Sequence, residues 1–336
     1  MKFKTVLFAI SLIMCLSNLK GQELESLSSY EDSLKILINI VQRGANDNVK
    51  FEANEKFTSL LEDALAIKKS FDYPFDSLKT ITNLISTDKK FRIFNWAVAK
   101  SDGNYIYYGF IQVYNSKKKK YEIYPLTDKS EDIQAPEFQF LDNQNWYGAM
   151  YFKIIHTSTD NNEYYTLLGW DGNDGVSYKK IIEVLTFKAN SKPFFGASIF
   201  KKGKEKPKRI IFEYSAQAIM TVRYEEQHYN VKEKLKKPIK GQRFELKPKK
   251  AEMIVCDRLA PLSPDLEGQR QFYVPETNLL DAFIFENGKW VFIEDVDARN
   301  PVKPKDKITT TKKIVKKQLY NPAKNSNKTN LDNPKK

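Results

Sequence analysis

The 336-residue chain predicts an α+β fold of mainly β character, an α-helical N-terminal lead followed by an antiparallel sandwich or an open, barrel-like sheet. Three observations carry that expectation. Apolar residues at helical spacing are concentrated before residue 90. From Phe91 onward, aromatic and β-branched runs alternate with Gly, Asn, Asp and Pro breaks. These runs follow one another too closely for parallel crossovers, so consecutive strands must pair antiparallel.

The chain opens with Lys2 and Lys4 ahead of the apolar run Val6–Leu16, then Ser17, Asn18 and Lys20, the pattern of a secretory signal peptide over residues 1–21. Eleven residues rising about 1.5 Å each cover roughly half of a ~30 Å hydrocarbon core, too little for an anchor. Gly21 favours cleavage before Gln22, with Ser17 as the fallback. Cys15 invites a lipoprotein reading, but Met14 stands where that processing takes a small residue. The expected location is the periplasm, the envelope or the exterior. No later segment reaches the ~18 apolar residues of a spanning helix, so no transmembrane segment is expected after signal removal. Without Cys15, Cys256 is the only thiol, and no intramolecular disulfide can form.

The first helix is read from Tyr30, Leu34, Leu37, Ile38 and Val41 on one face, with Ser29 and Asp32 as a capping box and Gly44 as its end. A second uses Phe57, Leu60, Leu61, Ala64 and Leu65. A third, shorter one uses Leu78, Ile81 and Ile85 after the Pro74 break. Strands are expected over 91–99, 105–114, 121–126, 148–157, 164–170, 209–214, 218–225 and 253–259. Asp102-Gly103 joins the first two, and Asn287-Gly288 joins 282–286 to 290–295 as a tight hairpin. Within this region Tyr178, Ile181, Ile182 and Leu185 predict one short helix over 178–185. The expected organisation is a signal peptide over 1–21, a helical region over 22–88, an antiparallel β-rich domain over 89–300 and a basic tail over 301–336.

The formal net charge of +13 is unevenly distributed, and residues 22–300 carry only +1. The excess sits in residues 201–250 (+10) and 301–336 (+9). That map argues against specific nucleic-acid binding and leaves the tail able to attract anionic envelope polymers or lipids. The Lys- and Pro-rich stretches 201–208 and 231–250 lack period and read as excursions from the sheet, as loops or hairpin tips. The tail holds Tyr320 as its only aromatic residue, a composition that cannot bury enough surface to order itself.

Catalytic signatures are weak. His156 shares a strand face with Met150, Phe152 and Ile154, His228 lies in a polar strand end, and neither has a nucleophile elbow. Ser-x-x-Lys recurs four times in the mature chain without a KTG or SDN companion, as chance allows in so Lys-rich a sequence. Cys256, in Met253-Ile254-Val255-Cys256, reads as a small buried hydrophobe. Zinc lacks a ligand cluster, and Asp171-Gly172-Asn173-Asp174-Gly175 begins like a calcium loop but has no downstream Glu, so no metal and no cofactor is expected. The same turn supplies the candidate ligand-binding set, Trp146, Tyr147, Trp170, Asp171 and Asp174. Aromatic faces can stack on pyranose rings while carboxylates accept hydroxyl hydrogen bonds. The expectation is a non-catalytic binding or interaction protein of the envelope, with glycan binding or hydrolysis through Trp170, Asp171 and Asp174 as the alternative.

The strings WYGAMYFKI (146–154), YYTLLGWDGND (164–174) and DRLAPLSPDLEGQRQFYVPETNLLDAFIFENGKW (257–290), with DVDARN (295–300), resemble a family of exported bacterial proteins without assigned activity. The resemblance spans roughly residues 90–300. It implies export and domain limits, and brings no catalytic residue or cofactor.

Overall fold

In the computed structural model the described residues are 24–296, apart from Ala189 and residues 240–241; for residues 232–245 the backbone alone is described. The expected signal peptide, its cleavage site, Cys15, most of DVDARN and the basic tail lie outside them.

Two helices lead, not three. The first, α1, spans residues 24–43 and begins before the expected Ser29 cap, because Leu27 extends the stripe of Leu34, Ile38 and Val41 by two turns. It ends ahead of Gly44, whose N–H reaches the Ile40 carbonyl at 2.7 Å. The second, α2 (Asp47–Ala66), is capped by Asn46 Oδ1, which accepts from the Val49 N–H at 3.0 Å. The expected third helix is replaced by turns and a four-residue strand. Residues 82–85 of that segment pair instead with residues 92–95 in an antiparallel ladder, and the Arg92 guanidinium fixes the turn ahead of them by donating to the carbonyls of Ser70, Phe71, Tyr73 and Pro74.

Fifteen strands follow among the described residues. The first sheet is β1 (Thr82–Ile85), β2 (Phe91–Ala99), β3 (Tyr105–Asn115) and β4 (Lys120–Thr127), paired in that order. Then come β5 (Leu141–Asp142), β6 (Met150–Ser158), β7 (Glu163–Asp171), β8 (Ser177–Phe187) and β9 (Pro193–Phe195), arranged β5-β9-β8-β7-β6. After β10 (Phe200–Lys201), β11 (Arg209–Ser215) joins that second sheet along β8. The third sheet is completed by β12 (Val222–Ile239), β13 (Gln242–Pro261), β14 (Tyr273–Glu286) and β15 (Lys289–Ile293), in the order β10-β15-β14-β13-β12. All pairings in the three sheets are antiparallel except the two-residue β10–β15 contact. The sheets are open.

Alternation along the strands stacks these parts into layers. On β2, Phe91 and Ile93 face one core while Phe94, Trp96 and Val98 face another, shared with Phe57, Leu61 and Leu65 of α2. On β8, Ile181 and Leu185 join Phe91 and Ile93, whereas Ile182 and Val184 pack with Ile254 and Cys256 of β13 and Phe283 of β14. The order is helices, first sheet, second sheet, third sheet. Each fully buried Phe, Ile or Leu of these cores contributes roughly 1.5–3 kcal/mol.

The middle position of β8 explains the misread helix at 178–185. A strand covered on both faces loses its polar alternation, and Tyr178, Ile181, Ile182 and Leu185 then mimic helical spacing. The basic stretch 231–250 belongs to a long ladder. Strands β12 and β13 pair from Val222↔Cys256 to Lys234↔Phe244 and, after a register shift, at Ile239↔Gln242, whereas β14 pairs with β13 no further out than Met253, so their distal parts form a two-stranded arm. Stretch 201–208 closes more tightly, through the Lys202↔Glu205 bridge. Among the described residues no helix is long and apolar enough to cross a membrane.

Candidate functional site

The β7–β8 turn that follows Trp170 and Asp171 is packed against the β2–β3 turn. Gly172 is required there, since a Cβ would sit 2.4 Å from the Tyr105 ring. Asp171, 4 % exposed, accepts the Tyr107 hydroxyl at 2.8 Å and the Asn173 N–H at 2.8 Å, with Lys179 Nζ 3.8 Å away. Burial raises its carboxyl above the usual range, although Lys179 opposes the shift. Asp174 is exposed, and its Oδ1 accepts the N–H groups of Val176 and Ser177 at 3.0 Å, closing the turn. Asn173 donates to Ser177 Oγ, which donates to Glu213.

Trp170 is half-buried between Tyr105 and Tyr178, ring centroids 5.7 and 5.5 Å away. Trp146 and Tyr147 do not reach the surface with it. Trp146 is 0 % exposed and donates its indole N–H to the Tyr151 hydroxyl, while Tyr147 is 4 % exposed beneath Lys179. Tyr107 links the group, bonded to Asp171 and edge-on to Trp146 at 6.5 Å. The structure thus gathers Trp146, Tyr147 and Asp171 into a buried corner and leaves Trp170 and Asp174 at its rim. No face of Trp146 is open for stacking on a sugar.

Beneath this corner Tyr151 donates to Glu183 of β8, and Glu183 Oε2 accepts from Arg209 Nε of β11 at 3.0 Å, both side chains 0 % exposed. Arg209 also donates to the carbonyls of Pro136 and Gln139, fastening that loop to the second sheet. Burial and Glu183 push the Tyr151 hydroxyl well above its usual range.

Of the three other singled-out groups, His228 is exposed on β12 opposite Lys250, and the remaining two serve packing. His156 stacks on Tyr165 at 4.8 Å and pairs with Glu163, and Cys256 is buried, its thiol raised by burial. Among the described residues no three His, Cys, Asp or Glu side chains group as metal ligands.

A different feature is concave and open. A groove of about 710 Å³ runs between the C-terminal end of α2 and the edge strand β4. Its walls are aromatic: Tyr121 stacks on Phe71 at 4.3 Å and meets Tyr114 edge-on at 5.3 Å, and Tyr114 is 41 % exposed. The helix end is fixed by Gln112 Nε2 and Ser70 Oγ, which donate to the Leu65 carbonyl at 3.0 and 2.7 Å. Lys68, Lys119 and Lys120 complete the rim. The carboxylate lining the groove, Glu122, accepts from Asn115 (2.8 Å), Lys118 (2.5 Å) and Tyr124 (3.1 Å), and the Asn115 and Lys118 bonds hold it below its usual range. Burial and Glu122 push the Tyr124 hydroxyl up to about 12.

A smaller cleft of about 260 Å³, between β11 and the third sheet, carries more charge, but its charges answer one another. Arg258 forks onto Asp281, Asp257 holds the N–H and hydroxyl of Thr221, and Lys202 lies 4.9 Å over Phe292.

The tyrosine groove matches none of the sites expected from the sequence. The segment Tyr114-Asn-Ser-Lys-Lys-Lys-Lys-Tyr121-Glu-Ile-Tyr124 was its signal, four lysines bracketed by tyrosines at a strand-to-strand turn. Comparison of the chain with family models, curated proteins and solved structures found no match.

Proposed function

We propose that the protein is an exported envelope protein that binds a ligand without transforming it, and that its ligand surface is the groove between α2 and β4. Export rests on the leader pattern of residues 1–21 and on the resemblance to exported bacterial proteins. One observation carries the binding reading: the groove combines aromatic walls with lysines, while its carboxylate is already engaged by three donors. A general acid and base need two groups free to exchange protons with a substrate, and Glu122 alone does not make that pair. Tyrosine faces and hydroxyls suit a sugar-containing ligand, since each ring offers an apolar surface and a polar tip. Hydrolysis through Trp170, Asp171 and Asp174 has less support, because Asp171 is spent on Tyr107 and Asn173 and Asp174 on its own turn.

The test is titration calorimetry against neutral and acidic oligosaccharides, with reducing-end release followed in parallel. Tyr114→Ala is expected to weaken binding by about tenfold, the loss of one aromatic contact, and Trp170→Ala to leave it within about twofold. Reducing ends released by the wild-type protein, or binding lost in Trp170→Ala and kept in Tyr114→Ala, would overturn the reading.

A further inference from the structure

Resting on that reading, we infer that the groove takes an acidic glycan, a chain of uronate-bearing sugars whose carboxylates meet lysines gathered at one end of the fold. Three turns converge there. The Tyr114 N–H donates to the Lys90 carbonyl at 2.9 Å, which brings the β1–β2 turn with Lys89 and Lys90 beside the β3–β4 turn with Lys117 to Lys120. The Tyr124 hydroxyl reaches the Asn190 carbonyl at 3.2 Å, adding the β8–β9 turn with Lys188. Lys90 Nζ lies 5.7 Å over Phe187. The nearly neutral charge of residues 22–300 therefore conceals a strongly basic end.

Two of the acids at this end are occupied, while the exposed Asp72 lies close enough to Tyr121 to add to the burial that raises its hydroxyl, setting one negative charge against the lysines. Glu122 is held by Lys118, and Asp88 accepts the Tyr165 hydroxyl at 2.6 Å and the Lys90 N–H at 3.1 Å. Among the described residues Lys68, Lys119 and Lys120 are in no ion pair. Three such ammonium groups around a groove attract anions as point charges, without the fixed geometry an arginine fork would impose. A volume of about 710 Å³ lies within the roughly 300–1,000 Å³ range of small-ligand sites.

The aromatic geometry narrows the anion. A single-stranded nucleic acid needs successive free ring faces, but Tyr121 already gives a face to Phe71. A lipid surface needs projecting apolar side chains, whereas Leu65 is buried and Ile67 half-buried in the groove floor. Tyrosine edges and hydroxyls beside lysines match sugar rings that carry carboxylates.

The experiment uses protein expressed from Gln22, intact and ending at Lys303, so that attraction by the tail is measured apart. Wild type, the exposed-site variant Lys119→Glu/Lys120→Glu and Tyr114→Ala are titrated with a galacturonate oligomer and a neutral galactose oligomer of equal length, with near-ultraviolet circular dichroism confirming the fold. A single-stranded oligonucleotide and phosphatidylglycerol vesicles form further arms. The galacturonate oligomer is expected to bind about tenfold more tightly than the neutral one. Charge reversal should remove at least that factor and tail removal less than about threefold, and salt rising from about 0.05 to 0.5 M should weaken binding. Equal affinity for both oligomers, with Tyr114→Ala weakening each, would overturn the acidic assignment and leave the groove standing. Binding lost on tail removal but kept on charge reversal, or no binding of either oligomer, would overturn both. Charge reversal abolishing oligonucleotide or vesicle binding while galacturonate fails to bind would replace the glycan with that partner.

Discussion

Substituting Glu183 by Gln removes a single charge from the most enclosed ion pair among the described residues while keeping side-chain shape. Glu183 and Arg209 face each other across the β8–β11 ladder, both 0 % exposed, 3.0 Å apart. In Glu183→Gln the guanidinium stays buried with only the carbonyls of Pro136 and Gln139 and a neutral amide. Leaving one member of a buried pair uncompensated costs about 3–5 kcal/mol. For a fold of this size 1 kcal/mol moves Tm by roughly 2–4 °C, so the expected loss is on the order of 6–20 °C. Scanning calorimetry and urea unfolding on wild type, Glu183→Gln, Arg209→Met and the double variant read the coupling directly. Because a well-packed apolar replacement of both partners is often neutral, the double variant is expected to be more stable than either single one. A Tm within about 2 °C of wild type in Glu183→Gln would refute the reasoning, since the pair would then not be desolvated.

Asp171→Asn tests the buried corner by its pH dependence. Because burial raises the native carboxyl above its value in the unfolded chain, ionised Asp171 costs stability, and that cost enters as pH rises through the interval between the two values. The Asn variant should escape the decline and be at least as stable as wild type at pH 7; a Tm drop of more than about 4 °C would contradict this. Cys256, with its thiol raised by burial and its Sγ–H near the Asp281 carbonyl, should react with a thiol reagent only on unfolding. Rapid labelling of the folded protein expressed from Gln22 would place that strand at the surface. Removal of residues 304–336, which are rich in lysine and nearly free of aromatics, should change Tm by less than about 4 °C and reduce co-sedimentation with anionic vesicles at low salt.

The legible parts of the fold were those set by local pattern. Strand β2 runs over the residues its alternation indicated, and Asn287 and Gly288 both adopt the positive φ that a two-residue hairpin demands. What failed depended on neighbours. Strand β8 lies between two sheets, and its double burial erased the period-2 signal. Leu78 and Ile81 are buried as a helix face would be, yet the backbone that follows them, residues 82–85, is paired with β2, a neighbour that local spacing does not reveal. The candidate site divided in the same way. Asp171 and Trp170 belong together because they are adjacent, but the burial of Trp146 and Tyr147 follows from layer packing that spacing does not encode. The groove was hidden because its walls come from the end of α2 and from β4, about fifty residues apart, joined through Gln112 and Phe71.

Hydrogen exchange read by mass spectrometry, on protein expressed from Gln22 with and without a saturating galacturonate oligomer, tests the central claim most directly. Amides over 65–70 and 114–124 should exchange more slowly with the oligomer bound, while those over 170–178, already enclosed by the Tyr105–Gly172 contact, should not change. Protection confined to 170–178, or to residues beyond 303, would contradict a ligand surface in the groove beside β4.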